Sequence, residues 1–170
     1  MLRFMIILAL SALSIGLFDN TQAQRMGQAC LLIALKTGGD DLSNGQVASS
    51  TSTQLWAKIN NGNFPPNALK VGYEADGRPL YIARTAYKGG VVIGKTWDNS
   101  PTAAFSYEGH TLLLSSFSVY TGRGYWVKVR QGDTVPPNAI LAGNEADGSP
   151  LFIARALIAN GLHIGNAQVY

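Results

Sequence analysis

The stretch EADGRPLYIAR, Glu74 to Arg84, returns in the same chain as EADGSPLFIAR, Glu145 to Arg155. Pro65-Pro66-Asn67-Ala68 likewise reappears as Pro136-Pro137-Asn138-Ala139, an offset of 136 − 65 = 71. The same offset joins Gly72 to Gly143, Gly90 to Gly161 and Gly94 to Gly165, and about half of the paired positions from Pro65 to Thr96 are identical. Upstream, Trp56-Ala57-Lys58 faces Trp126-Val127-Lys128 at offset 70, so one residue is inserted before the second Pro-Pro. A duplication of this length confines the fold to two copies of one unit packed on each other.

The unit reads as β-structure. Tyr125, Val127 and Val129 alternate with Trp126, Lys128 and Arg130, and Leu55, Ala57 and Ile59 alternate in the same way with Trp56, Lys58 and Asn60. Leu80 to Ala83 and Val91 to Ile93 are short aliphatic runs bounded by Gly and Pro, the pattern of strands covered on both faces. Asp76-Gly77 and Asp147-Gly148 have tight-turn chemistry, because Gly accepts a positive φ and Asp tolerates one. No stretch of either copy joins helical periodicity to helix caps. The expected fold class is all-β.

Outside the copies, the N-terminus has the pattern of an export signal. Arg3 precedes the apolar run Met5 to Leu17, and Thr21-Gln22-Ala23 offers a small-residue cleavage site before Gln24. A run of thirteen apolar or small residues is too short to span hydrocarbon as a helix, so the expectation is a secreted protein without membrane insertion. The resulting division is a signal peptide over 1–23, an N-terminal strand and Ser/Thr/Gly-rich linker over 24–54, a first repeat over 55–122 and a second over 123–170. The second copy stops short, since nothing at offset 71 matches residues 100–122. The aliphatic segment QACLLIALKTGG, Gln28 to Gly39, is positioned to supply the missing strand in permuted order; a loosely packed N-terminal strand is the alternative. Cys30 is the only cysteine, so the fold is held without an intramolecular disulfide.

Composition removes several functions. A net charge of +3, carried by scattered single Lys and Arg, gives no basic stripe for nucleic acid. The two histidines, His110 and His163, do not occupy matching positions in the copies, and no Gly-x-Ser-x-Gly, Cys-x-x-Cys or His-Glu-x-x-His occurs. Glu74 and Asp76 would share one face of an extended strand about 7 Å apart, a spacing that suits glycoside hydrolysis. Both flank a turn glycine, however, and read as solvated. No metal site, cofactor or enzymatic activity is expected.

A polyhydroxylated ligand suits the residues better. A carboxylate accepts hydrogen bonds from neighbouring hydroxyls, and an ammonium donates to the same groups. Asp76 and Lys95 offer that pair, and Tyr73 and Trp97 are the rings placed to cover the apolar face of a sugar. Asp76 also serves as a plain turn former, and the residues alone leave both roles open.

NFPPNALKVGYEADGRPLYIARTAYKGGVVIGKT, followed by FSYEGH and FSVYTG, resembles the DM-nine repeat. That family's pattern runs from Pro-x-x-Ala through Gly-x-Glu-x-Asp-Gly-x-Pro-Leu-Tyr-x-x-Arg to Pro-Gly-Lys and a tyrosine-rich close. The resemblance implies an antiparallel, β-prism-like fold of two tandem pseudo-symmetric repeats. It also implies lectin-like binding of mannose-type glycans, with pattern recognition in innate immunity as the setting. Carried across, the sugar-holding Asp and Lys fall on Asp76 and Lys95 in the first copy, and on Asp147 and Asn166 in the second. Asn166 brings no charge, and Ile93 stands where the family has Pro before Gly-Lys. The expected partner is therefore a glycan, with pairing of two chains as the route to avidity. Two other functions compete: an interaction module that keeps the fold without the sugar, and an enzyme acting on glycans.

Overall fold

The computed structural model describes residues 4–8, 31–35, 55–59, 63–130 and 133–169. Thirteen strands join in one antiparallel hydrogen-bonded sheet, and the described residues contain no helix. The fold is all-β, as the alternation predicts.

Each copy is built on a long hairpin. In the first, β5 (Pro79–Tyr87) turns into β6 (Gly90–Thr96); in the second, β12 (Pro150–Ile158) turns into β13 (Gly161–Val169). Both turns have two residues with positive φ, Lys88 and Gly89 (46° and 85°) and Ala159 and Asn160 (47° and 66°). This backbone matches the right-handed twist of the flanking strands. Ahead of each hairpin lies a short strand, β4 (Lys70–Tyr73) or β11 (Leu141–Asn144).

These short strands carry the two copies across each other. β4 pairs with its own β5 and, through Tyr73 opposite Leu162, with β13 of the other copy. β11 pairs with β12 and, through Asn144 opposite Val91, with β6. The pairings run β5–β4–β13–β12–β11–β6 and return to β5, so the ring closes on itself. Crossing this close needs glycine. A Cβ on Gly72 would collide with the Leu162 carbonyl, and one on Gly143 with the Val91 carbonyl.

Two arginines lock the crossing. Arg155 Nη1 donates to the Val71 carbonyl of β4 at 2.6 Å, and Arg84 Nη1 donates to the Ala142 carbonyl of β11 at 3.3 Å. The guanidinium of Arg84 lies 4.1 Å from the ring centre of Trp56, and that of Arg155 lies 4.0 Å from Trp126. The repeated Arg and Trp of the sequence are thus one structural device, used once in each direction.

The central core fills the ring from both copies: Leu80, Ile82 and Ile93 with their counterparts Leu151, Ile153 and Ile164. The other strand faces make a flanking core for each copy, around Tyr81, Ala83 and Phe105 in the first and Ala139, Ala154 and Ala167 in the second.

The remaining strands complete the symmetry. In the first copy, β7 (Ala103–Tyr107) and β8 (His110–Leu114) form a hairpin on β6, and β9 (Ser118–Tyr120) lies between β3 (Trp56–Lys58) and β5. In the second, β2 (Leu31–Leu35) lies between β10 (Tyr125–Val129) and β12. The registers agree: Val119 opposes Ala57 and Ala83, as Ile33 opposes Val127 and Ala154. The N-terminal segment therefore supplies the strand the second copy lacks, in the permuted order expected from the sequence. β1 (Phe4–Leu8) pairs with β13 as β7 pairs with β6, Leu8 opposing Gly165 as Phe105 opposes Gly94. The remainder of the expected leader, its cleavage position, Cys30 and the expected linker over 40–54 lie outside the described residues.

Proline removes a ladder donor and is not tolerated between two paired strands. Ile33→Pro and Val119→Pro should accordingly destabilise the full chain by similar amounts, about 1–3 kcal/mol or more for the groups left unpaired. Urea unfolding of both variants checks this, and a silent Ile33→Pro would contradict the permuted closure.

Candidate functional site

The turn after β4 shapes the site. Glu74 N donates to the Arg78 carbonyl at 2.9 Å, Gly77 N donates to the Glu74 carbonyl at 2.8 Å, and Gly77 has a φ of 85°. Asp76 caps this turn, accepting from Arg78 N at 3.0 Å and from Arg78 Nε at 2.7 Å. The backbone bond from Arg78, followed by its guanidinium, holds the exposed Asp76 carboxyl below the usual aspartate range. Asp147 repeats the arrangement with Ser149 N at 2.8 Å and is likewise held down.

The same turn sends Glu74 inward. Lys95 follows Ile93 on β6, and the alternation of the strand carries its side chain into the interior, where it has 0% of its surface exposed. There Lys95 Nζ donates to Glu74 Oε1 at 2.7 Å and lies 3.0 Å from Nδ1 of His163 on β13. His163 Nδ1 is 3.7 Å from Glu74 Oε2. The cluster is drawn from both copies: Glu74 and Lys95 from the first, His163 from the second.

Burial pushes the Lys95 ammonium down from its ordinary value, Glu74 opposes that through the hydrogen bond and its charge, and Arg78 adds to the lowering. Burial also lowers the His163 imidazole, Lys95 lowers it further, and Glu74 opposes. Next to Glu74 in the chain, Tyr73 is 41% exposed, and Trp97, two residues after Lys95, is half-buried with its ring centre 5.7 Å from the guanidinium carbon of Arg78.

The second copy keeps the geometry and changes the chemistry. Glu145 occupies the place of Glu74, but its Oε1 accepts a short hydrogen bond from Gln168 Nε2. Asn166, at the Lys95 position, is buried, and its Oδ1 has no hydrogen-bond partner among the described residues. Burial pushes Glu145 up, Asp147 and Glu108 add to that, and Gln168 opposes. No group of His, Cys, Asp and Glu able to hold a metal ion occurs among the described residues.

The structure thus regroups the residues singled out from the sequence. Lys95 is present in the cluster, but its partner is Glu74, while Asp76 bonds to Arg78. Glu74 and Asp76 do not share a strand face, because they occupy a turn that directs one inward and the other outward. The expectation that both are solvated fails for Glu74, which is buried. Its repetition at Glu145 was the available signal. His163 gave none, because its counterpart is Val92. Asp147 is an exposed turn cap, and Asn166 lies in the second cluster.

Removing one partner of a buried ion pair strands a charge and costs about 3–5 kcal/mol, whereas replacing both is often close to neutral. Glu74→Gln should therefore destabilise the chain by about that amount, and adding Lys95→Met should recover most of it. A double-mutant cycle by chemical unfolding measures both.

A family model described as the DM9 repeat matches residues 38–114 and again 97–169. Its first unit begins ahead of the boundary at 55 read from the sequence, and the two matches overlap over 97–114, which contains all of β7 and β8. No curated protein matches the chain.

Proposed function

The chain belongs to the DM9 repeat family, and from that premise we propose that it is a secreted carbohydrate-binding protein whose working site is the Glu74–Lys95 couple. Membership supports a binding-type module with carbohydrate as its ligand class. The observation that carries the site is the 2.7 Å contact of Lys95 Nζ with Glu74 Oε1, with an exposed Tyr73 adjoining Glu74 in the chain and a half-buried Trp97 two residues after Lys95. An ammonium has three donors, and two of those on Lys95 face Glu74 and His163. The third donor and the free lone pairs of Glu74 Oε2 suit adjacent hydroxyls of a mannose-type sugar. Glu74, with 9% of its side chain exposed against none for Lys95, is the group a ligand meets first.

The copies are unequal on this reading. The second has an acid and two amides but no cation, so the affinity of the chain rests on the first. A charged hydrogen bond contributes about 1.5–3 kcal/mol where a neutral one contributes about 1, and about 1.4 kcal/mol is tenfold in affinity. One strong site per chain makes self-association the means of holding multivalent glycans, in keeping with pattern recognition in immunity.

One observation favours the interaction-module reading: Lys95 is fully buried, as a core ion pair would be. Calorimetry with methyl mannoside separates the two. Lys95→Ala should lose binding, paired with a thermal melt showing that the variant is folded, while Asp147→Asn should bind as the parent does. A folded Lys95→Ala with unchanged affinity, or two equal sites per chain, would refute the proposed site.

Export is tested separately. The N-terminal sequence of protein recovered from culture medium should begin at Gln24 or a close neighbour; an intact Met1 on protein confined to the cytosol would refute secretion.

A further inference from the structure

We infer that His163, reaching over from the second copy, is the positioning residue for Lys95 and makes glycan binding at the first site acid-sensitive. This rests on the carbohydrate reading above and deepens it. An ammonium can only donate, so the nitrogen 3.0 Å from Lys95 Nζ must accept. Nδ1 is then unprotonated, and the single ring proton of the neutral imidazole sits on Nε2. Glycine makes room for the ring: a Cβ on Gly161 would stand 2.5 Å from His163 Nε2.

Packing alone does not call for histidine here. The equivalent position of the first copy is Val92, which packs in the flanking core with Tyr81 and Phe105, and the second cluster has Asn166 in place of Lys95. The cation and the imidazole therefore occur together in one composite cluster and are both missing from the other. Their origins in different copies make that pairing more than the inheritance of one repeat.

Protonation of Nδ1 would remove the acceptor and set a second cation beside the ammonium. The charged groups facing His163 are Lys95 from β6 and Glu74 from the turn after β4, at 3.0 and 3.7 Å. Behind them Arg78 acts on Lys95, and Asp76 is bonded to Arg78. The Glu74 carboxylate, now shared between two cations, no longer holds Lys95 in one place. Burial and Lys95 both lower the imidazole pKa, so the neutral ring prevails above the ordinary value of about 6.5. Its stabilising contribution is present there and is lost as pH falls through the lowered pKa.

Methyl mannoside titrations at pH 7.5 and 5.0, on the parent chain and on His163→Gln, test the inference. Glutamine keeps an acceptor but does not titrate. The parent should lose roughly tenfold or more in affinity at the lower pH, whereas the affinity of His163→Gln, whatever its level at pH 7.5, should change by less than about threefold between the two pH values. An equal loss in both proteins would overturn the inference. A second measurement needs no ligand and no change at His163. In His110→Asn a single imidazole remains, and NMR should show an Nε2–H ring that titrates below about 6.5, with the Lys95 amine signals shifting over the same pH range. An Nδ1–H ring, or titration at or above that value, would overturn the assignment whatever the binding result. Absence of mannoside binding at pH 7.5 would refute the carbohydrate reading, leaving the ring titration to decide the role of His163.

Discussion

Neither copy of the repeat can satisfy its own backbone, and this constraint governs the rest of the fold. β4 and β11 each stand between their own hairpin and that of the other copy. A buried N–H or C=O without a partner is costly, so a single copy would leave the crossing edge of its hairpin open. Glycine at residues 72 and 143 lets the backbones approach, and the two arginines bind the crossing strands from opposite sides. Closure of the ring follows from this exchange, and so does the shared central core. The identical positions of the sequence are concentrated in these parts because the exchange must work in both directions.

A site placed at the end of an exchanged strand inherits residues from both copies. β4 ends at Tyr73 beside Leu162, which brings Glu74 near the start of β13 and His163 within reach of Lys95. The Arg155–Val71 bond fixes β4 just upstream of Glu74. Duplication therefore gives two composite places in which either copy can change one member without disturbing the backbone. Lys95 with His163, against Asn166 with Val92, is such a divergence. The fold remains symmetric while its two clusters differ in charge.

Much of the architecture was legible because strand alternation, Asp-Gly turns and the offset of 71 are local or periodic signals. The permuted strand was legible from an absence, the missing counterpart of residues 100–122. The site was legible only in part. Lys95 stood out, but the sequence could not say which carboxylate it meets, because a turn separates the directions of two residues spaced two apart. His163 was hidden for a different reason: its contact with Lys95 spans 68 residues and crosses between copies, so the repeat pattern does not mark it. Arg84 and Arg155 were visible as repeated residues, yet their task depends on the strand exchange, which no local pattern reveals.

Permuted closure also links the N-terminus to the inequality of the two clusters. Ile7 opposes Asn166 on β13, whereas Ala104, from the middle of the chain, opposes Lys95 on β6. Export with cleavage ahead of Gln24 would remove β1 and open β13 along Gly165–Val169, the segment that holds Asn166 and Gln168. The first cluster would keep its cover, because β7 lies within the continuous first copy. A lysine buried in an ion pair depends on water being excluded around it, which raises the strength of the interaction. The covered copy is thus the one suited to hold a charged couple, and the copy closed by the N-terminal segment is the one that has amides instead.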